Sequence, residues 1–304
     1  MQKIYLDNAA TTKPCVPAVE AAIDAMTVNF GNPSSLHRAG LDAQLVVDRA
    51  RKIIADSIGA SPENIIFTSG ATEANNMVFE ITRTFLEENS KNHVITTQIE
   101  HKSVLKSVQR LADEHGFDVT YLGLSKMLAP YPASLYQSVR LNTGLVSVMN
   151  ANNEIGFAFD VRLIGKFCKN HKLLFHTDCV QAAGCRPIDV KKIGCDFATI
   201  SSHKIHGPKG VGALFIKNPE MWKPMILGGN NQEFGLRGGT ENVAGIVGFG
   251  KACELVVQNQ TMAEIERLED MKSVFCGSFD ARLAKNGFGR VWALNGCSMN
   301  ATKS

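Results

Sequence analysis

Short apolar runs that alternate with amphipathic stretches constrain this chain more than any single residue does. "NIIFTSG", "HVITTQ", "DVTYLG", "GLVSVMN", "LLFHTD", "CDFATIS" and "VGALFI" read as strands. Between them, "ATEANNMVFEITRTFLEEN", "KSVLKSVQRLADEHG" and "VRLIGKFCKNHK" carry helical periodicity, the second closed by Gly116. Strands buried on both sides and separated by helices predict an α/β fold, with a mostly parallel sheet and helices on both faces. In such sheets ligands gather beyond the carboxyl ends of the strands, so polar residues at those ends are the candidates for function.

Two stretches break the alternation. Residues 124–140 hold two prolines and weak periodicity, and are expected to be a connection with one helical turn. Residues 227–242, "LGGNNQEFGLRGGTEN", are dense in glycine and are expected to be a loop that needs positive φ or a close approach. A long helix over roughly 241–275 leads toward a second, smaller domain. The expected division is an N-terminal segment over 1–15, a large domain over 16–260 and the start of the small domain over 261–304.

Composition removes several classes of function. A net charge of +3, with no like-charged run and no aromatic basic stripe, argues against nucleic acid. No window is apolar for long enough to span a membrane, and "MQKIYLDNAATT" does not read as a secretory signal. The eight cysteines form no CxxC pair, so zinc spacing is missing, and several lie in apolar runs. Reduced thiols in a cytoplasm are therefore expected.

Four strand ends carry polar groups. Thr68-Ser69-Gly70-Ala71-Thr72 opens a helix, and its free N–H groups suit an anion; the plainer reading is a helix capped by Ser69 or Thr72, with Glu73 in the first turn. Asp178 ends "LLFHTD", where a carboxylate costs free energy unless it is paired; the plainer reading is an N-cap. His101 follows "QIE" and serves either as a base or flat ring, or as a capping histidine. Lys204 lies in "SSHKIHGPKG" beside Ser201 and His203, where an apolar site would favour its neutral, nucleophilic amine; the plainer reading is a solvated turn lysine, which suits Lys209. Together these residues supply an anion cup, a carboxylate, a flat ring and an amine at the ends of one sheet. Pyridoxal phosphate needs that set.

The residues also carry a family resemblance. "YLDNAATT", "FGNPSSLHRAG", "FTSGATEANN", "EHKSV", "NANNEIG", "HTDCVQAAG", "SSHKIHGPKGVGAL" and "GLRGGTEN" fall in order across residues 5–243. In them the chain resembles the NifS-like cysteine desulfurases, class V of the fold-type I pyridoxal 5'-phosphate enzymes, to which selenocysteine lyases are close. The resemblance implies that Lys204 holds the cofactor aldehyde, Asp178 pairs with the pyridine nitrogen and Gln181 bonds the ring oxygen. It implies that His101 stacks on the ring and acts as acid and base, and that Ala71, Thr72, Ser201 and His203 bind the phosphate. Asn153 would sit near substrate and ring. Thr240 would reach the phosphate of a second subunit, hence a homodimer. The implied substrate is L-cysteine and the implied acceptor an iron–sulfur scaffold protein. The family's sulfur-accepting cysteine and its carboxylate-gripping arginine would fall after Ser304, and Cys297 does not have the context of that cysteine. Phe159 stands where the family favours glutamine. Selenocysteine lyase is the alternative within enzymes, and a truncated chain that binds the cofactor and a partner without turnover is the alternative outside them.

Overall fold

The computed structural model describes residues 4–123, 133–229 and 232–259, with scattered positions between 266 and 278. Helices α1 (Val16–Thr27) and α2 (Arg38–Ser57) precede strand β1 (Ile65–Thr68). Helix α3 (Ala71–Glu88), strand β2 (His93–Thr97), helix α4 (Lys102–His115) and strand β3 (Asp118–Leu122) follow. Next come α5 (Ala133–Ser138), β4 (Thr143–Ser147), α6 (Val161–Asn170) and β5 (Leu174–Asp178). The short α7 (Val190–Ile193), β6 (Phe197–Ser201), β7 (Gly212–Ile216) and α8 (Val243–Asn259) complete the described elements.

Local chemistry sets the ends of these elements. Asp160 caps α6 by accepting from the N–H groups of Arg162 and Leu163, and Gly116, at φ 68°, closes α4 in the left-handed conformation. The strands form one seven-stranded sheet in the order β1-β7-β6-β5-β4-β2-β3. Strands β3, β2, β4, β5 and β6 run parallel, while β7 lies antiparallel between β6 and β1. The antiparallel strand explains the hinge over 201–210: the chain leaves β6, turns back and returns along it as β7.

Both faces are covered, as expected. One core joins Val47 and Ile54 of α2 to Ile164 of α6, Phe249 of α8 and Phe175 of β5. On the other face, Met77 and Val78 of α3 meet Ile66, Phe197 and Leu214, while Val104 and Val108 of α4 meet Val94 and Leu145. Of the helix expected over 241–275, Val243–Asn259 is described. The helical turn expected in 124–140 is α5, and residues 124–132 lie outside the described residues, as does most of the expected small domain over 261–304. Among the described residues no helix is long and apolar enough to cross a membrane.

Strand β1 lies at the edge of the sheet, and a buried ion pair covers it. The Arg51 guanidinium donates to both carboxylate oxygens of Glu233, at 2.9 and 2.7 Å, and to the Ile65 carbonyl. Glu233 in turn accepts from the Phe67 N–H at 2.6 Å. Arg51 also stacks on Phe67 and Phe234. Both Glu233 and Phe234 adopt positive φ, 43° and 56°, so the pair holds the glycine-rich loop in a strained path. Arg51→Ala would leave Glu233 buried without a counter-charge, and is expected to cost about 3–5 kcal/mol in chemical denaturation. Arg51→Met combined with Glu233→Leu, which removes both charges, is expected to cost clearly less than the single change.

Candidate functional site

The carboxyl ends of β1, β2, β5 and β6 lie along one edge of the sheet, and the polar residues singled out above collect there. Helix α3 starts at Gly70, whose φ of 150° favours glycine, and no side chain caps it. The capping role considered for Ser69 and Thr72 is therefore not what the structure shows. The Ser69 N–H instead donates to Glu73, which is held by Arg237 of the glycine-rich loop. Ala71 and Thr72 are the first residues of the helix, so their N–H groups face its open end. Gly212, opposite Ser201 in the β6–β7 ladder, is packed against Gly70 so closely that a Cβ would lie 2.9 Å from its backbone. Ser201 therefore stands beside the helix start, and its buried hydroxyl has no partner among the described residues.

Asp178 is only 4% exposed. Its two oxygens accept from Asn75 Nδ2 at 2.8 Å and from the Val180 N–H at 3.0 Å. Burial pushes this carboxyl up from the ordinary range, against the pull of Asn75, Val180 and the charges of His101 and Lys204. The N-cap expectation is not met, because no helix follows Asp178: the Val180 N–H belongs to a turn, and the next helix, α7, is capped by Asp189.

Lys204 is half-buried just past β6, and Nζ donates to the carbonyls of Ala9 and Ala10. Burial lowers its pKa, with Asp178 and Asp7 opposing, which makes the neutral amine more accessible than on a solvated lysine. The N-terminal segment is laid across this loop. Thr12 donates from its N–H and its hydroxyl to the His203 carbonyl, both at 2.9 Å, and His203 Nδ1 lies 3.1 Å from Thr11 Oγ1. Gln181 Nε2 donates to the Ala9 carbonyl at 3.0 Å. The "NAATT" stretch thus joins Gln181, His203 and Lys204, although it is distant in sequence. Lys209 is exposed, as a turn lysine should be.

His101 is exposed and is the N-cap of α4: its Nδ1 accepts from the Ser103 N–H. Asn153 lies on a loop tied to β5 by the Asn150 N–H donating to the Asp178 carbonyl at 2.8 Å, but no hydrogen bond joins Asn153 itself to the other site residues among those described. Thr240 is exposed on the loop held by Arg237, and no bond links it to Lys204 or Asp178 among the described residues. Phe159, at the position noted for glutamine, is buried and packs edge-on against Phe157.

Pyridoxal phosphate fits this arrangement by donor chemistry: a buried acid, a desolvated amine, an open helix start and an unpartnered serine hydroxyl meet the ring nitrogen, the aldehyde and the phosphate. Among the described residues no cluster suits a metal ion. The six described cysteines are free thiols. Burial raises Cys168, Cys179 and Cys253 to about 12 and Cys195 well above its ordinary value, so these four do not supply a thiolate.

Three polar residues of this region were not found from the sequence. Asn75 and Ser103 sit one turn and half a turn into helices that read as apolar-faced. Glu100, beside His101, is fully enclosed: Oε1 accepts from Thr97 Oγ1 and from the Met149 N–H, and its pKa is raised by burial to about 8. The folded chain keeps a proton on Glu100 between about pH 4.5 and 8 that the unfolded chain releases, so this residue draws stability down as pH rises through that window. Glu100→Gln is expected to be more stable than the parent near pH 8, with the difference closing toward pH 4.5. Denaturation midpoints across that range measure it, and a gap that grows toward acid would contradict it.

Residues 4–276 match the Aminotransferase class-V family. Over 283 residues the chain is 41% identical to a cysteine desulfurase IscS of Dictyoglomus turgidum, covering 93% of this chain and 71% of that protein. It is 46% identical over 264 residues to a mitochondrial cysteine desulfurase of Arabidopsis thaliana, covering 86% of this chain and 58% of the other, so it spans little more than half of that relative's length. Its fold is similar to a solved structure described as SspA in complex with cysteine, with a TM-score of 0.76, 38% identity, and coverage of 83% of this chain and 72% of that one.

Proposed function

The chain belongs to the class-V aminotransferase family, and on that premise we propose that it is a pyridoxal phosphate-dependent cysteine desulfurase. The observation that supports this best is Lys204, its amine desolvated, within the electrostatic reach of the buried Asp178. When bound, pyridoxal phosphate supplies an aldehyde that takes amines and a ring that draws electrons from the attached carbon.

The residues of this chain divide the remaining work. Lys204 presents the amine that holds the cofactor. Asp178 would pair with the ring nitrogen and keep a proton there, and its burial would make that charge pairing stronger than it would be in water. Gln181 and Asn153 would bond the ring oxygen, and His101 would stack on the ring and move a proton. Ala71, Thr72, Ser201 and His203 would hold the phosphate, with Thr240 of a second subunit completing the cradle in a homodimer. L-cysteine gives up its sulfur and leaves as alanine. A cysteine thiolate other than the four buried thiols takes the sulfur and passes it to an iron–sulfur scaffold in the cytoplasm. The division into an N-terminal segment over 1–15, a large domain over 16–260 and a small domain from 261 belongs to the same reading.

Purified with excess pyridoxal phosphate, the protein is expected to be yellow, and Lys204→Ala to lose that visible band while keeping its fold. A folded, colourless parent protein would overturn the reading. Asp178→Ala is expected to keep most of its cofactor affinity, because the phosphate contacts remain, yet to lose cysteine-dependent sulfide production by two orders of magnitude or more, ~3 kcal/mol in the barrier. Equal losses of affinity and rate would make Asp178 a structural residue.

A further inference from the structure

A continuous line of hydrogen bonds joins His101 to Asp178, through two residues to which no role has been given so far. Asn75 Nδ2 lies 2.8 Å from Asp178 Oδ2 and 2.8 Å from Ser103 Oγ. Ser103 Oγ lies 2.7 Å from His101 Nδ1, and the Ser103 N–H donates to the same Nδ1 at 3.2 Å. Asn75 is fully buried, and Ser103 and Asp178 are nearly so. The Ser103 carbonyl is itself bound by the Ser107 hydroxyl at 2.8 Å, which fixes this first turn of α4.

The direction of every bond follows from which groups can donate. An ionised Asp178 only accepts, so the Asn75 amide must turn its nitrogen toward it. The Asn75 oxygen has no partner among the described residues, which agrees with both known contacts being on the nitrogen. The two amide hydrogens then go to Asp178 and to Ser103 Oγ. With its oxygen already accepting, Ser103 turns its own hydrogen to His101 Nδ1. A backbone N–H can only donate, so the second contact at Nδ1 has the same sense. Two donors converge on Nδ1, and the proton of the neutral ring is left to Nε2.

We propose that Ser103 and Asn75 are positioning residues that hold His101 as its Nε2–H tautomer, so that the neutral ring begins as a proton donor through Nε2. The consequence for turnover rests on the proposed desulfurase reading, but the tautomer does not. Asn75 gives the same line a second function: Asp178, which would pair with the ring nitrogen, and His101, which would stack on the ring, are joined through one amide. Loss of Asn75 should therefore disturb both.

The test is nitrogen NMR on the full chain labelled with ¹⁵N-histidine, as purified and again with pyridoxal phosphate added. Spectra are taken at about pH 9, above the ordinary imidazole range. The chain has eight histidines, and the His101 signals are identified by their loss in His101→Gln. His101 is expected to show the Nε2–H pattern in both samples. Ser103→Ala, which keeps the backbone donor but removes the hydroxyl, is expected to raise the Nδ1–H share about fivefold, and Ser103→Thr to restore it. Alanine suits the first turn of a helix, and circular dichroism checks the fold of each variant. An Nδ1–H pattern in the parent protein overturns the proposal whether or not the variants fold. An unchanged tautomer ratio in folded Ser103→Ala overturns the part given to Ser103. A colourless protein with Nε2–H at His101 would remove the desulfurase reading alone, and a yellow protein with Nδ1–H would remove this inference alone.

Discussion

The site depends on a carboxylate that has been taken out of water. Asp178 ends a strand buried on both sides, and nearly all of its surface is lost to the protein. Such a group is tolerable only when its oxygens are met by donors, and the fold provides them from two directions. The Val180 N–H comes from the turn that follows β5, and the Asn75 amide comes from α3, which packs over the same face. The same desolvation makes the carboxylate a strong partner for positive charge. Lys204 and His101, each reached by a different loop, both lie within its field.

The parallel sheet makes this convergence possible. Strands β2, β4, β5 and β6 point the same way, so the segments leaving them emerge at one edge. The reversal into β7 keeps the Lys204 loop at that edge, where Gly212 and Gly70 let the ladder and the start of α3 touch. The N-terminal segment then closes over the loop through Thr11 and Thr12. At the sheet margin, Arg51 and Glu233 satisfy the edge groups of β1 and fix the path of the glycine-rich loop, while Arg237 ties the same loop to Glu73 at the start of α3. Two buried or half-buried ion pairs thus set where Thr240 is presented, although neither contains it.

Glu100 shows that enclosure alone does not make a functional acid. It is as fully enclosed as Asp178, but its accepting oxygen is taken up by Thr97 and the Met149 N–H, which join β2 to the segment after β4. Its proton is a cost of placing His101 at the end of that strand. The contrast with Asp178 lies in the neighbours: cationic groups act on Asp178, and the neighbouring charge acting on Glu100 is Asp178 itself.

Much of this was legible in the chain before any coordinates. The apolar runs fixed the strands, and the most apolar of them are fully buried, because a segment with no polar face has nowhere to go but a two-sided interior; β3, which carries Asp118, Thr120 and Tyr121, is an edge strand and stays partly exposed. The strand-end positions of Asp178, Ser201 and His101 followed from the same pattern, and the motifs around Lys204 and His101 pointed to one cofactor. Tertiary structure alone decided the rest. The antiparallel placement of β7, the draping of Ala9 to Thr12 over Lys204, the Arg51–Glu233 pair and the Asn75–Ser103 line all join residues far apart in sequence. Periodicity reports which way a side chain faces within its own element, and carries no information about which element it will face. That is settled only when the sheet order brings the partners together, and a buried asparagine on an apolar helix face then becomes the donor that a carboxylate on another strand requires.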